Sequence, residues 1–216
     1  MPRPSQQLDQ ALLASGRALL PAAGCAGLSV RALAEHAGVT PGMFHYHFGS
    51  KERFLRALLA GVYEEMFAAL RMQAAAPAAP LERLRLALGT LARFVRAERQ
   101  LLARLWADAI AGDAVAADFF RTNAPRHVGV MLQLCGAAEA AGLLDPMPAL
   151  ERMAFLMGAV PLPMIFVAGL VDVGLVPPGG CAAFNAQVMA DAAIDARIER
   201  CLRALAARPA KGRSRP

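Results

Sequence analysis

The chain has 216 residues, enough for one large domain or two small ones with a real hydrophobic core. Hydrophobic residues make up 56%, but 48 of them are Ala, while Val, Ile and Thr together number only 20, which excludes a sheet-rich or doubly wound fold. The net charge of +6 is uneven: residues 1–56 carry +3, 57–100 carry +2, 101–196 carry −5 and 197–216 carry +6. The last twenty residues alone match the whole-chain excess, so bulk basicity says nothing about a partner. The basic first hundred residues, set against an acidic second hundred, suit a polyanion at the front half only.

The four cysteines, Cys25, Cys135, Cys181 and Cys201, show no CxxC or zinc spacing and read as free thiols in a reducing cytosol. Residues 1–20 hold charges and no apolar run of the secretory kind, so a cytoplasmic protein is expected. Residues 153–171 carry no charge over a length near that of a membrane span. Pro161 and Pro163 interrupt it, and Glu151, Arg152 and Asp172 flank it in place of a basic cluster. It reads as a buried or subunit-interface element; a membrane-associated helical protein is the alternative class.

In chain order, Ser5 is placed to cap a first helix running to about Leu20, with Gly24 and Gly27 breaking it. Ser29 caps a short second helix, Leu28 and Leu33 form its hydrophobic staple, and Gly38 ends it. Thr40 caps a third helix with Pro41 at its first position, and that helix stops near Phe48-Gly49. Ser50 caps a fourth helix extending to about Gln73. Leu81, Leu84, Leu88, Leu91 and Val95 then mark a helix whose outer face carries Arg83, Arg85, Arg93, Arg96 and Arg99, expected to be solvated, with long-range attraction for DNA as the alternative. Helices follow over residues 100–111 and 114–142, the latter interrupted near Pro125, and a pair of half-helices over 147–171. Val176 to Gly180 forms a turn, and one amphipathic helix runs from Cys181 to about Ala207. From Arg208 onward the basic, Pro- and Gly-containing tail reads as disordered, either a solubilising end or a nonspecific aid to DNA affinity.

Residues 29–48 form a helix, a glycine turn and a second helix, an arrangement whose second helix can enter the major groove of DNA. Val30, Leu33 and Ala34 can share a small core with Val39, Phe44 and Phe48. Arg31, Thr40, Tyr46 and Lys51 are expected on phosphates, and Pro41, Gly42, His45 and His47 on base edges or thymine methyls. A metal site at His45 and His47 is excluded, because residues two apart on a helix point in nearly opposite directions.

The run from Leu28 to Leu59, LSVRALAEHAGVTPGMFHYHFGSKERFLRALL, resembles the DNA-binding signature of TetR-type transcriptional regulators. The matching elements are Ser29-Val30, Leu33-Ala34, Ala37-Gly38-Val39, Gly42, Tyr46-His47-Phe48 and Ser50-Lys51-Glu52, and the resemblance covers roughly residues 5–60. His45 stands where that family usually carries Tyr. The resemblance implies an all-α chain: a helix-turn-helix DNA-binding domain of three helices over residues 1–50, a helical ligand-binding and dimerisation domain over 51–207, and the tail 208–216. It also implies a homodimer joined through its last helices, palindromic operator DNA, and release by a small-molecule inducer. A same-fold activator or a ligand-independent regulator is the runner-up.

For the ligand, Trp106, Phe120, Met131, Met157 and Met164 are the candidates for lining an apolar pocket. Asp108 and Asp113 near Trp106 read as a solvated acidic face or as contacts for a cationic ligand. For the dimer interface the candidates are Phe166, Phe184, Val188, Ile198 and Leu202. No GxSxG, P-loop, GxGxxG or HExxH occurs, so no catalytic residue, metal or cofactor is expected.

Overall fold

The computed structural model of the chain describes residues 4–177 and 179–207. The basic tail 208–216 and position 178 of the expected turn lie outside the described residues. The described chain is all-helical. Its helices are α1 (Pro4–Gly27), α2 (Val30–Ala37), α3 (Pro41–Phe48), α4 (Lys51–Ala74), α5 (Pro80–Ala97), α6 (Arg99–Ile110), α7 (Ala114–Ala140), α8 (Ala149–Ala159), α9 (Leu162–Asp172), α10 (Gly180–Phe184) and α11 (Asp191–Ala204). A π-helical turn, Asn185–Met189, separates the last two. Strand-like pairing among the described residues is limited to one bridge between Leu144 and Ala206. There the Asp145 N–H donates to the Leu205 carbonyl at 2.9 Å.

The described residues fall into two compact units, one of 4–67 with 98–126 and one of 68–97 with 127–207. In the first, α1 packs on α2 and α6. Gly16 permits a close approach: a Cβ there would stand 2.6 Å from Cζ of Phe54, whose ring is fully buried. Leu12, Leu20, Leu28, Leu33, Phe44, Leu55 and Leu105 complete this core. In the second unit α5 packs on α9 and α11, and Leu84, Leu88, Met131, Leu156, Met164, Ile194 and Ile198 are buried.

Three elements differ from the sequence expectation. α1 continues past Leu20 and leaves helical geometry at Gly24, where φ is 72° and ψ 172°. α7 passes through Pro125 without a break. The single helix expected over Cys181–Ala207 is instead α10, the π-turn and α11, divided at Ala190 in extended geometry (φ −62°, ψ 147°). Two arginines, one from α5 and one from α11 itself, satisfy carbonyls there. Arg96 donates to the Met189 carbonyl at 2.8 Å and Arg197 to that of Val188 at 3.0 Å. The arginine face of α5 is likewise not simply solvated, since Arg93 pairs with Asp191 and Asp195 of α11 at 2.9 and 2.8 Å.

Ala149–Val171 is long and apolar enough to cross a membrane by length and composition, with a mean hydropathy of 2.2. It is divided, however, at Val160–Pro161 into α8 and α9, of 11 residues each. A span needs about 20 helical residues.

Candidate nucleic-acid interface

α2 and α3 are set by their caps. Ser29 Oγ accepts a hydrogen bond from the Ala32 N–H at 3.1 Å, and Gly38 closes α2 in the left-handed region, φ 69°, with its N–H on carbonyls of the last turn. Pro41 opens α3 as expected, but the Thr40 side chain makes no capping hydrogen bond. Gly49, φ 72°, ends the helix, and Ser50 Oγ accepts from the Arg53 N–H at 3.2 Å to start α4. An aromatic cluster holds α3 on α4: the Phe44 ring lies 5.7 Å from Phe48 and 5.2 Å from Phe54, and Phe48 lies 4.9 Å from Phe54. Ser15 Oγ and His36 Nδ1 share a hydrogen bond of 2.9 Å that ties α1 to α2.

With Phe44 and Phe48 turned inward, helical spacing puts Gly42 and Tyr46 on the opposite ridge of α3. Tyr46 is 85% exposed, and Pro41, Gly42, Met43 and His45 are exposed beside it. Met43 was not among the expected contacts, although it sits one residue before the anchoring Phe44. Arg31 and Thr40 are also exposed. His45 Nδ1 donates to the Gly49 carbonyl at 3.2 Å, a direction fixed because a carbonyl can only accept.

His47 does not stand on this ridge. Its side chain is 10% exposed, with Nδ1 2.5 Å from an Asp9 carboxylate oxygen of α1. It follows Phe44 by three residues and therefore shares the inward side; that spacing was the signal for it. The base-facing position expected for His47 is corrected accordingly. Lys51 is half-buried at the head of α4, and its Nζ donates to the Ala26 carbonyl at 2.9 Å.

Behind this surface lies a cluster at the α1 break. Asp108 of α6, expected on a solvated face, is only 8% exposed and accepts the Cys25 N–H at 2.7 Å. Arg104 Nε stands 3.0 Å from the same carboxylate. Burial, followed by the charges of Asp113 and Asp108, pushes the Cys25 thiol up from 9.0 to about 12. The folded protein keeps a proton that the unfolded chain releases above its ordinary value. This contribution to stability is complete below pH 9 and is lost as pH rises toward 12. Cys25→Ala is expected to flatten the fall of the urea midpoint across that window. An equally steep fall in the variant would assign the loss to other groups.

The remaining expected site residues are placed as follows. In the first unit Trp106 is 58% exposed, with its ring edge-on to Phe120 at 5.4 Å, and Ile110 is 72% exposed nearby in sequence on the same helix. In the second, Met131 and Met164 are fully covered and Met157 is half-buried. A cleft of about 520 Å³ opens there beside Leu81, Arg85, Leu143, Leu202 and Arg203, and none of the five expected ligand residues lines it. Phe166 is 69% exposed, while Phe184 and Val188 are half-buried. Ile198 and Leu202, at 1% and 4%, face the chain's own core and offer almost no surface for the dimer interface expected of them.

Comparison with known proteins bears on the same segment. Residues 12–58 match the family model of the tetR family of bacterial regulatory proteins. No curated protein matches the chain. Among solved structures, the ketosteroid transcriptional regulator KstR2 of Mycobacterium tuberculosis is similar at 19% identity, with 92% of this chain and 94% of that one covered and a TM-score of 0.66. A protein of Mesorhizobium loti described as a TetR-family transcriptional regulator is 16% identical, with 95% and 100% covered and a TM-score of 0.63. One of Rhodococcus, described in the same way, is 18% identical, with 93% and 98% covered and a TM-score of 0.62. At these identities the likeness is one of fold.

Proposed function

We propose that this chain, which has the fold of TetR-family transcriptional regulators and a tetR-type segment over residues 12–58, binds palindromic operator DNA as a homodimer and is released by a small apolar inducer, acting as a repressor. The observation that carries the reading is the solvent-facing ridge of α3, with Gly42 and Tyr46 on a helix locked from behind by Phe44, Phe48 and Phe54. In this reading Pro41, Gly42 and His45 approach base edges, while Arg31, Thr40, Tyr46 and Lys51 meet phosphates. The free N–H groups at the start of α3 add an anion-binding end.

Two half-sites of a palindrome lie about 35 Å apart, so two copies are needed to engage both. The second unit offers a surface for pairing. Phe155, Gly158, Leu162, Phe166 and Val173 are exposed along α8 and α9 and the turn that follows, and a Cβ at Gly158 would meet nothing within 4 Å. Phe166→Asp, at a position with little packing to lose, is expected to give folded monomers by sedimentation velocity and weaker operator binding. Dimers that persist would move the interface elsewhere.

Trp106 is the one tryptophan of the chain, so tryptophan emission, excited selectively over tyrosine, reports on that site alone. A ligand stacking on Trp106 and Phe120 and preferring the DNA-free form by about 1–3 kcal/mol would act as inducer. Selection of binding sites from random duplex DNA tests the whole reading. An inverted repeat is expected, and a compound that changes Trp106 emission is expected to lower affinity for it. A protein that ignores every duplex at low ionic strength would overturn the reading.

A further inference from the structure

The last turn of α1 is suspended between two other helices. Gly24 turns the chain out of helical geometry, and two consecutive residues then use their backbone groups in different directions. The Cys25 N–H points to the Asp108 carboxylate of α6 at 2.7 Å, and the Ala26 carbonyl takes the Lys51 ammonium of α4 at 2.9 Å. Arg104 completes the fit from above. A Cβ at position 24 would stand 2.2–2.6 Å from atoms of its guanidinium, so that group occupies the space a side chain would need. Asp108 is thus a buried carboxylate with two partners, one of which fixes the strap that holds Lys51.

Lys51 would be free to sample many rotamers at a helix head with no such acceptor. Seating one of its three N–H donors on a fixed carbonyl restricts the ammonium to a small region and leaves two donors outward. A charge held in place loses less conformational freedom on meeting a phosphate than one that must be gathered there. From this geometry we infer that Asp108 is a positioning residue for DNA binding: by gripping the Cys25 N–H it holds the Gly24–Ala26 strap where the Ala26 carbonyl presents Lys51 to the phosphate backbone. The inference rests on the DNA-binding reading above.

The salt dependence of duplex binding tests it. Each phosphate contact contributes about 0.9 to the slope of log affinity against log salt. Lys51→Gln is expected to lower the slope by about 0.9 per subunit. Asp108→Asn, which weakens the acceptor and removes its charge, is expected to lower the slope by at least half of that amount. The double variant should fall no further than Lys51→Gln alone, because the two act on one contact. Asp195→Asn, which makes the same charge change at a carboxylate paired with Arg93 and leaves the strap untouched, serves as the control with a wild-type slope. If Asp108→Asn does not fold, Asp108→Glu keeps the charge facing Arg104, displaces only the acceptor and is read in the same way. A purely structural Asp108 would lower the melting temperature and leave the slope of the folded protein unchanged. That result, or additive losses in the double variant, overturns the inference while the DNA-binding reading stands. If the wild type itself shows no salt-dependent duplex binding, the functional reading falls instead.

Discussion

Gly42→Leu is expected to yield a protein that melts no earlier than its parent and binds its operator about 100-fold more weakly or worse. The fold has no need for glycine at this position. Its φ is not positive, and a Cβ there would meet only the Thr40 hydroxyl, at an easy 3.9 Å. A helical glycine costs about 0.5–1 kcal/mol relative to alanine. For a chain of this size, relief of that cost raises the melting temperature by roughly 2–4 °C per kcal/mol. What the glycine does provide is a bare backbone on the outer ridge of α3, one turn before Tyr46. In the proposed DNA complex a leucine there would wedge the first turn of the helix away from the groove. Losing two base contacts at about 1–3 kcal/mol each corresponds to the stated factor. Calorimetry and fluorescence anisotropy at fixed salt measure the two effects separately. A variant that keeps its affinity would show that this turn does not lie against DNA.

The opposite face of the same helix predicts the opposite pattern. Phe44→Ala is expected to destabilise the protein by about 3–5 kcal/mol, the usual cost of emptying a buried aromatic site. Phe44 is fully buried and contacts both Phe48 and Phe54, so its removal leaves a void that rings anchored on two helices cannot readily fill. Tyr46→Ala, only two residues on, removes a side chain that is 85% exposed and should change stability by no more than about 0.5 kcal/mol. Its effect should appear as weaker binding to every DNA sequence. Denaturant midpoints for the pair decide the point; equal losses would contradict the division of α3 into an anchoring and an outward face.

The parts of the fold that were legible in the sequence are those set by neighbours within a few residues. Ser29 and Gly38 bracket α2, Pro41 and Gly49 bracket α3, and Ser50 opens α4, because capping chemistry acts over three or four positions. The division at Ala190 was not legible. Nothing in Asn185–Ala190 resembles a helix breaker. The break is stabilised by Arg96 and Arg93, nearly a hundred residues away, and local patterning carries no trace of such partners. Asp108 was misplaced for the same reason. Its neighbours on α6 suggest a polar surface, and only the Gly24 turn, 84 residues earlier, supplies the N–H that draws it inward. Pro125 argues for an interruption, yet α7 runs on through it. His47 lay within reach of sequence reasoning, since its three-residue offset from Phe44 already assigned its side.

The tautomer of His45 has a chemical corollary. With the Nδ1 hydrogen committed to Gly49, the uncharged ring has only a lone pair left to offer, on Nε2. A phosphate oxygen likewise offers only lone pairs, and the two repel. The complementary groups on a duplex are the exocyclic amines of adenine and cytosine, of which every Watson–Crick pair displays one in the wide groove. A tyrosine at this position would bring a hydroxyl hydrogen suited to the sugar–phosphate chain. In the proposed DNA complex, histidine would turn the same corner of the helix into a seeker of amino hydrogens.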